Sequence, residues 1–364
     1  MGLKFRSPIV VEPYKLTWFD VELPDPGPRE VIFRNRACLI CGSDLHLYKG
    51  LHPFAPLPAC TGHEVAADVV EVGDRVTSLE VGDAVYVAGT GAGPVPCGGC
   101  LNCVRGFPEK CSDPHVSVSF EVDGKRVARF PSGFGEYTMG HEGKAFKLPH
   151  GVTHLEAAVT TDMTYVIGVV KRSGAEIGDS AVVLGAGPIG LRTVEAARLA
   201  GITPIIVSEP LDYRLECAKE LGAQELVNPV EEDAVGRVME LTDGEGVDYV
   251  FDTTGNARAT AQGVDMLNTR FGGAGTLVLM GIYEKPELTI DASKLMRKAG
   301  RIVAEWGVRT TRRKNIEDAL RLMGEGKLNV SKWITHQLPE SQAEEGMMML
   351  IEKREGAIGV EIVH

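Results

Sequence analysis

Short apolar runs broken by glycine and proline dominate the first 150 residues, among them Val31-Ile32-Phe33 and Val65 to Val70. Two turn signals, Val72-Gly73-Asp74 and Val81-Gly82-Asp83, recur close together, each followed by a Val-bearing run. This spacing predicts a small antiparallel β-barrel with tight turns, not a helical unit. Near residue 155 the period changes. An apolar helical pattern covers Leu155 to Val170, and a strand-like run from Ser180 to Leu184 leads into a glycine turn and an Ala/Leu-rich helix ending at Ala200. Strand Ile205 to Ser208, helix Tyr213 to Leu221 and strands Tyr249 to Asp252 and Thr276 to Met280 continue the alternation. Alternating β and α elements predict a parallel, doubly wound sheet with its helices on both faces. From about residue 310 the pattern is mixed, with a helix around Ile316 to Met323, and this tail is expected to close back onto the first domain. The fold class is therefore α/β, a barrel domain followed by a doubly wound domain.

At 364 residues the chain has room for both. Its net charge of −12 and aromatic content of 6% disfavour nucleic acid and anionic membranes as partners. No run approaches the apolar length of a membrane span, and Met1 to Phe5 lacks the apolar stretch of a secretion signal. Eight cysteines stand at 38, 41, 60, 97, 100, 103, 111 and 217, five of them in or beside metal-like spacings. The expectation is a cytoplasmic, metal-binding protein in place of a disulfide framework.

Three segments carry chemistry. Gly185-Ala186-Gly187-Pro188-Ile189-Gly190 follows an apolar strand and opens a helix. That context turns a weak glycine pattern into a dinucleotide site: a tight turn at Gly185, close approach to a pyrophosphate at Gly187, close packing at Gly190, and helix N-terminal amides for the phosphates. Thr254, after a later strand, joins these residues as a cofactor contact. Glu209 ends the next strand, 19 positions after Gly190, where an acid accepts hydrogen bonds from the adenosine ribose hydroxyls. A carboxylate there favours NAD, while nearby Arg214 keeps NADP or dual use open. Cys97, Cys100, Cys103 and Cys111 offer four thiolates in fifteen residues, the soft, closed donor set of a structural zinc. An iron–sulfur cluster competes, but Ser112 stands where the ferredoxin run has proline. Finally, Cys41-Gly42-Ser43-Asp44-Leu45-His46 and Gly62-His63-Glu64 gather a thiol, a hydroxyl and two imidazoles. A thiolate and an imidazole suit a catalytic zinc, which keeps one position open, and Ser43 and His46 suggest a path for a proton. Taken singly, each of these residues also fits a buried cysteine or a surface histidine.

The order of these features, with Ile334-Thr335-His336 near the end, resembles the zinc-dependent medium-chain dehydrogenase/reductase family of alcohol, sorbitol and threonine dehydrogenases. The resemblance implies a GroES-like catalytic domain over residues 1–162, completed by 309–364, and a Rossmann cofactor domain over 163–308, with the active site in the cleft. It implies that Cys41 and His63 bind the catalytic zinc and that Asp44 orients the His63 imidazole. Asp162 stands at the family's third ligand position, at the start of a helix, and matches the Glu of the sorbitol dehydrogenase pattern. Its neighbours differ from the usual ones, so Asp162 also fits an outer position or a helix cap, with Glu64 then binding zinc directly or in alternation with water.

The implied reaction is reversible hydride transfer between NAD(P) and a secondary alcohol, polyol or sugar, with Ser43 accepting the hydroxyl proton and passing it through the nicotinamide ribose hydroxyl to His46. The implied assembly is a homodimer or homotetramer, with the strand near Arg301 to Glu305 as a contact, and Leu45, Tyr48 and Trp306 are candidates for lining the substrate pocket. Two rival readings stand beside this one: a zinc-free quinone-reductase-like enzyme, which lacks the Cys41/His63 pair, and a zinc-stabilised nucleotide-binding protein without catalysis, which has no use for Ser43 and His46.

Overall fold

Seven strands form the main sheet of the first part of the chain. The computed structural model describes residues 2–52, 55–88, 100–105, 111–112, 118–128, 130–269, 275–283, 285, 287–305 and 313–364. The sheet runs β16 (Ile334–Pro339), β17 (Gly359–Val363), β3 (Glu30–Leu39), β4 (Glu64–Val72), β5 (Ala84–Ala88) and β9 (Ala145–Lys147), with β8 (Tyr137–His141) also paired to β3. A hairpin of β1 (Leu3–Glu12) and β2 (Lys15–Leu23) and a small one of β6 (Glu121–Val122) and β7 (Lys125–Arg126) accompany it. Strand periodicity sorts the side chains. Cys38, Val65 and Ile362 share one register row and face the apolar core, together with Ile40, Val85, Val87 and Val360. The opposite face carries Ala37 and Ala66, small enough to accept Ala157 and Ala158 of α3 (His154–Ala158). Each fully buried Val, Leu or Ile in this core contributes about 1.5–3 kcal/mol.

The remaining helices of this part are α1 (Gly42–Tyr48), α2 (Leu101–Val104) and α11 (Ala343–Glu352). All main-sheet pairings are antiparallel except β16 with β17, which are parallel and contain a bulge between Ile334 and His336. Thr335 fills that bulge, accepting from the Ile358 amide at 3.0 Å and donating to the Gly359 carbonyl at 3.1 Å. The main-sheet strand pairings within the first 150 residues are antiparallel, as expected, and the parallel pair lies in the tail, where Thr335 bonds across it.

The second part holds six parallel strands in the order β12 (Glu225–Val227), β11 (Ile205–Ser208), β10 (Ala181–Leu184), β13 (Tyr249–Asp252), β14 (Thr276–Leu279) and β15 (Arg301–Ala304). Every residue of β10, β11 and β13 is buried, as expected of a parallel sheet with covered faces. The helices are α4 (Thr160–Ser173), α5 (Pro188–Ala200), α6 (Asp212–Leu221), α7 (Ala234–Leu241), α8 (Ala257–Met266), α9 (Ala292–Arg297) and α10 (Arg313–Gly324). The helical pattern read as one stretch from Leu155 is two helices, α3 and α4, meeting at Val159.

Two compact units result: Met1–Thr161 with Leu320–Glu325 and Ile334–His364, and Asp162–Ala319 with Gly326–Trp333. Leu320–Glu325 and Ile334–His364 are the parts of the tail that belong to the first unit. Residues 313–319 stay with the second unit because Lys171 of α4 holds Asp318 at 2.7 Å and Asn315 at 3.1 Å, and Trp333 stays because it lies under Arg192 of α5. Among the described residues no helix is long and apolar enough to cross a membrane.

Glu142, between β8 and β9, ties the first unit's loops. It accepts from the Thr77 and Ser78 amides and the Ser78 hydroxyl, and it pairs with Arg29 at 2.9 Å. Burial alone raises its carboxyl, but these donors outweigh burial and bring it from 4.5 to about 2. Because the folded value is the lower one, the stabilisation is complete above pH 4.5 and is lost as pH falls toward 2. Glu142→Gln is expected to destabilise the protein by about 2 kcal/mol at pH 7. In denaturant titrations that gap should shrink steadily below pH 4.5.

Candidate active site and cofactor-binding residues

Cys41 and His63 come from the adjoining ends of neighbouring strands. Leu39, the last residue of β3, pairs with Glu64, the first of β4, so the residues just beyond each strand meet. Cys41 caps α1 in an extended conformation, and Gly62 takes φ +81°, a left-handed turn that suits glycine. Asp44 locks both turns. Its carboxylate accepts from the Cys41 amide at 3.0 Å and the Gly62 amide at 2.9 Å, and lies 3.4 Å from His63 Nδ1. Asp44 is wholly buried, which raises its carboxyl. The charge and hydrogen bond of His63, then the Gly62 and Cys41 amides, overcome that and hold it below the usual carboxylate range. Asp44 is thus both the local turn former and the imidazole partner.

The first turn of α4 completes the group. Thr161 accepts from or donates to the Tyr86 hydroxyl at 2.9 Å and donates to the His63 carbonyl at 3.4 Å, which fixes where the next residue falls. Ligand atoms of Cys41, His63, Glu64 and Asp162 all lie within 4.8 Å of one another. A thiol, an imidazole and two carboxylates are a donor set for a borderline-soft divalent cation. The surroundings are anionic as well. The neighbouring Cys38 thiol is pushed far up, first by burial and then by the charges of Asp44 and Glu64. The residues present therefore fit zinc. Ser43 and His46 lie on α1, both partly exposed and three positions apart, so they share one helix face. Tyr48, a candidate pocket residue, is instead buried and donates to Glu344 at 2.7 Å; Trp306 lies outside the described residues.

Sequence reading missed Arg192. This side chain of α5 is fully buried, its Nη1 lies 3.3 Å from Asp162 Oδ2, and its guanidinium stacks 4.6 Å over the Trp333 ring. The available signal was a charged residue, one of two with Glu195, on the buried face of α5.

In the cysteine segment, Cys100 Sγ lies 3.5 Å from Cys103 Sγ and 3.8 Å from Cys111 Sγ. Sulfurs on one tetrahedral zinc are about 3.8 Å apart. The Cys103 and Ser112 amides and the Ser112 hydroxyl, against burial, bring the Cys100 thiol from 9.0 to about 5, ready to act as a thiolate ligand. Cys97 lies outside the described residues.

The glycine turn stands between β10 and α5. Gly185 takes φ +91°, and a Cβ on Gly190 would collide with the Gly185 carbonyl oxygen, so the close strand–helix packing requires glycine there. At Gly187 the space is open: among the described residues, its chain neighbours aside, a Cβ would meet Arg214 Nη1 alone, at 3.9 Å. The first amides of α5, at Ile189 and Gly190 behind Pro188, lack intrahelical acceptors and point where an anion fits. Glu209 is buried and accepts from the Ala186 amide at 2.7 Å and the Leu211 amide at 3.2 Å, so it pins the turn in addition to presenting its charge. Thr254 packs beside Gly185 and donates to Asp252 at 2.6 Å. The turn fits a dinucleotide.

Residues 27–150 match the family model described as an alcohol dehydrogenase GroES-like domain, and residues 188–325 match that of a zinc-binding dehydrogenase. The chain is 36% identical over 324 residues to L-threonine 3-dehydrogenase of Pyrococcus horikoshii, covering 87% of this chain and 86% of that protein. The chain belongs to the zinc-dependent medium-chain dehydrogenase/reductase family. It is 32% identical over 320 residues to sorbitol dehydrogenase of Halalkalibacterium halodurans, covering 88% of each. Its fold matches 2R,3R-butanediol dehydrogenase of Bacillus subtilis with a TM-score of 0.82, at 28% identity and 99% of both chains. The medium-chain fold expected from the resemblance is present, and the chain is an NAD(P)- and zinc-dependent alcohol-type oxidoreductase acting on small molecules.

Cys103→Ser is expected to remove one equivalent of zinc and about 3 kcal/mol of stability, a fall in melting temperature of roughly 6 °C or more. Metal analysis and calorimetry check this, with NAD(P) binding retained.

Proposed function

We propose that this dehydrogenase oxidises a secondary hydroxyl flanked by a second polar group, as in a polyol or vicinal diol, with Cys41, His63 and Asp162 holding the catalytic zinc. The observation that carries the reading is the four-donor group of Cys41, His63, Glu64 and Asp162 within 4.8 Å. Threonine, sorbitol and 2,3-butanediol, named for the similar proteins, each carry a secondary hydroxyl beside another polar substituent. Zinc, when bound, supplies Lewis acidity that lowers the pKa of an alcohol hydroxyl, and NAD(P) supplies the hydride acceptor.

The chain's own residues do the rest. Asp44, 3.4 Å from His63 Nδ1, selects the tautomer that leaves Nε2 as the metal-binding nitrogen. Ser43 takes the hydroxyl proton, and His46, on the same face of α1 and partly exposed, carries it toward solvent. Glu64 lies in the same donor group and would offer zinc a further carboxylate oxygen, in alternation with water. Gly185, Gly187, Pro188, Ile189, Gly190 and Thr254 cradle the pyrophosphate side of the cofactor, Glu209 faces the ribose hydroxyls, and Arg214 lies over Gly187. The first unit is the catalytic domain and the second the cofactor domain. Cys97 joins Cys100, Cys103 and Cys111 around the structural zinc. The edge position of β15 supports a homodimer or homotetramer built by strand pairing, and reduced, metal-binding cysteines support a cytoplasmic setting.

Cys41→Ala and His63→Ala are each expected to lower kcat at least about 1000-fold on a panel of polyols, vicinal diols and primary alcohols, while NAD binding persists. Near-normal turnover in either metal-depleted variant, or faster turnover of primary alcohols by the parent enzyme, overturns the reading.

Glu209→Gln keeps one of the two oxygens that accept from Ala186 and Leu211, and it removes the charge that repels a 2′-phosphate. It is expected to raise the NADP-to-NAD ratio of kcat/KM about tenfold, equivalent to roughly 1–2 kcal/mol.

A further inference from the structure

We infer that Arg192 is a positioning residue that sets how tightly the catalytic zinc is held, by fixing the Asp162 carboxylate. This inference rests on Asp162 being a zinc ligand, as proposed above.

Arg192 sits five residues into α5, on the helix that follows the glycine turn, yet its side chain is turned away from solvent and is 0% exposed. A guanidinium does not shed its charge inside a protein, so burying one requires an anion and a polarisable surface. Both are present. Asp162, whose side chain is 13% exposed, lies 3.3 Å away, and the Trp333 ring lies 4.6 Å beneath the guanidinium, a cation–π stack. Trp333 is itself fully buried, so the plane of the stack is fixed. Glu195, one turn along α5, accepts from the Asn329 amide at 2.6 Å and anchors the segment leading to Trp333. The arginine is thus held from several sides and aimed at one carboxylate oxygen.

The consequence for a bound metal is geometric and electrostatic. Arg192 engages Oδ2 of Asp162 at 3.3 Å, and one oxygen of the same carboxylate lies in the four-donor group. Asp162 also faces a like charge, because Glu64 offers an oxygen within 4.8 Å of it and Cys41 contributes a thiol that binds metal as thiolate. Without a cation on its far side, the carboxylate is free to rotate away from its anionic neighbours. Arg192 supplies that cation and so keeps Asp162 in the group.

The experiment is zinc retention, read with a chromogenic chelator on the whole enzyme, with the zinc of the four-cysteine segment as the internal reference. Arg192→Met, which fills a similar volume, is expected to weaken binding of the catalytic zinc about 10- to 100-fold while the reference zinc is unchanged. Arg192→Lys, which keeps the charge but not the planar fork, should fall between parent and Arg192→Met, and it serves if the methionine variant does not fold. In an Asp162→Asn background, Arg192→Met should weaken zinc binding no further, since its effect runs through that carboxylate. Equal zinc retention in parent and Arg192→Met, tighter retention, or an undiminished effect in the Asp162→Asn background each overturns the role given to Arg192. Unchanged retention in Asp162→Asn alone overturns instead the underlying assignment of Asp162 as a ligand.

Discussion

The buried charge of Asp44 is the constraint on which the rest of the first unit's site depends. A carboxylate taken out of water costs several kcal/mol unless its oxygens are filled. Here the fillers are the amides of Cys41 and Gly62 and the ring of His63. These donors belong to two separate turns, one ending β3 and one beginning β4. Satisfying one charge therefore brings a thiol and an imidazole to the same place, and a misplaced turn would leave the charge unpaired. Strand pairing brings the two turns close, through Leu39 opposite Glu64, but only to the precision of a backbone ladder. Asp44 supplies the finer registration.

The second unit solves its loop problem with the same device. Glu209, just past β11, reaches across to the Ala186 amide and so fixes the glycine turn that follows β10. Asp252, at the end of β13, accepts from the Thr254 amide and hydroxyl and fixes the next turn beside it. Acids at strand ends spend their acceptors on loop amides, while the amides at the start of α5 are left for an anionic ligand. The collision that any Cβ at Gly190 would make with Gly185 then explains why the turn cannot be rebuilt with ordinary residues. Rigidity before binding is what this arrangement achieves, and a preformed phosphate cradle loses less entropy when it is filled.

Much of this was legible in the sequence because the responsible signals are local. Alternation along Val31 to Val70 and the β–α alternation after residue 180 report burial patterns directly, and the cysteine spacing reports three sulfurs that do converge. What stayed hidden depends on contacts between distant segments. The parallel pairing of β16 with β17 rests on a bulge filled by Thr335, which no periodicity records. The placing of residues 313–319 with the second unit rests on Lys171 holding Asp318, a pair 147 positions apart. Arg192 was passed over for a related reason: within α5 it shares the buried face with Glu195, and its partners Asp162 and Trp333 come from opposite sides of it in the chain.

Ligand motifs name donors one at a time, whereas a metal responds to the sum of the charges around it. The group at Cys41 gathers a thiol and two carboxylates, with a third carboxylate, Asp44, behind the imidazole. A dication alone does not balance four anions at close range, and the excess repulsion falls on whichever carboxylate is least constrained. Asp44 is held by two turns, and Asp162, in the first turn of α4, faces the buried Arg192 at 3.3 Å. A fixed positive charge there offsets part of that repulsion. Arg192, buried and stacked on Trp333, stands at that position, which is why a residue outside every ligand motif belongs in any physical account of this site.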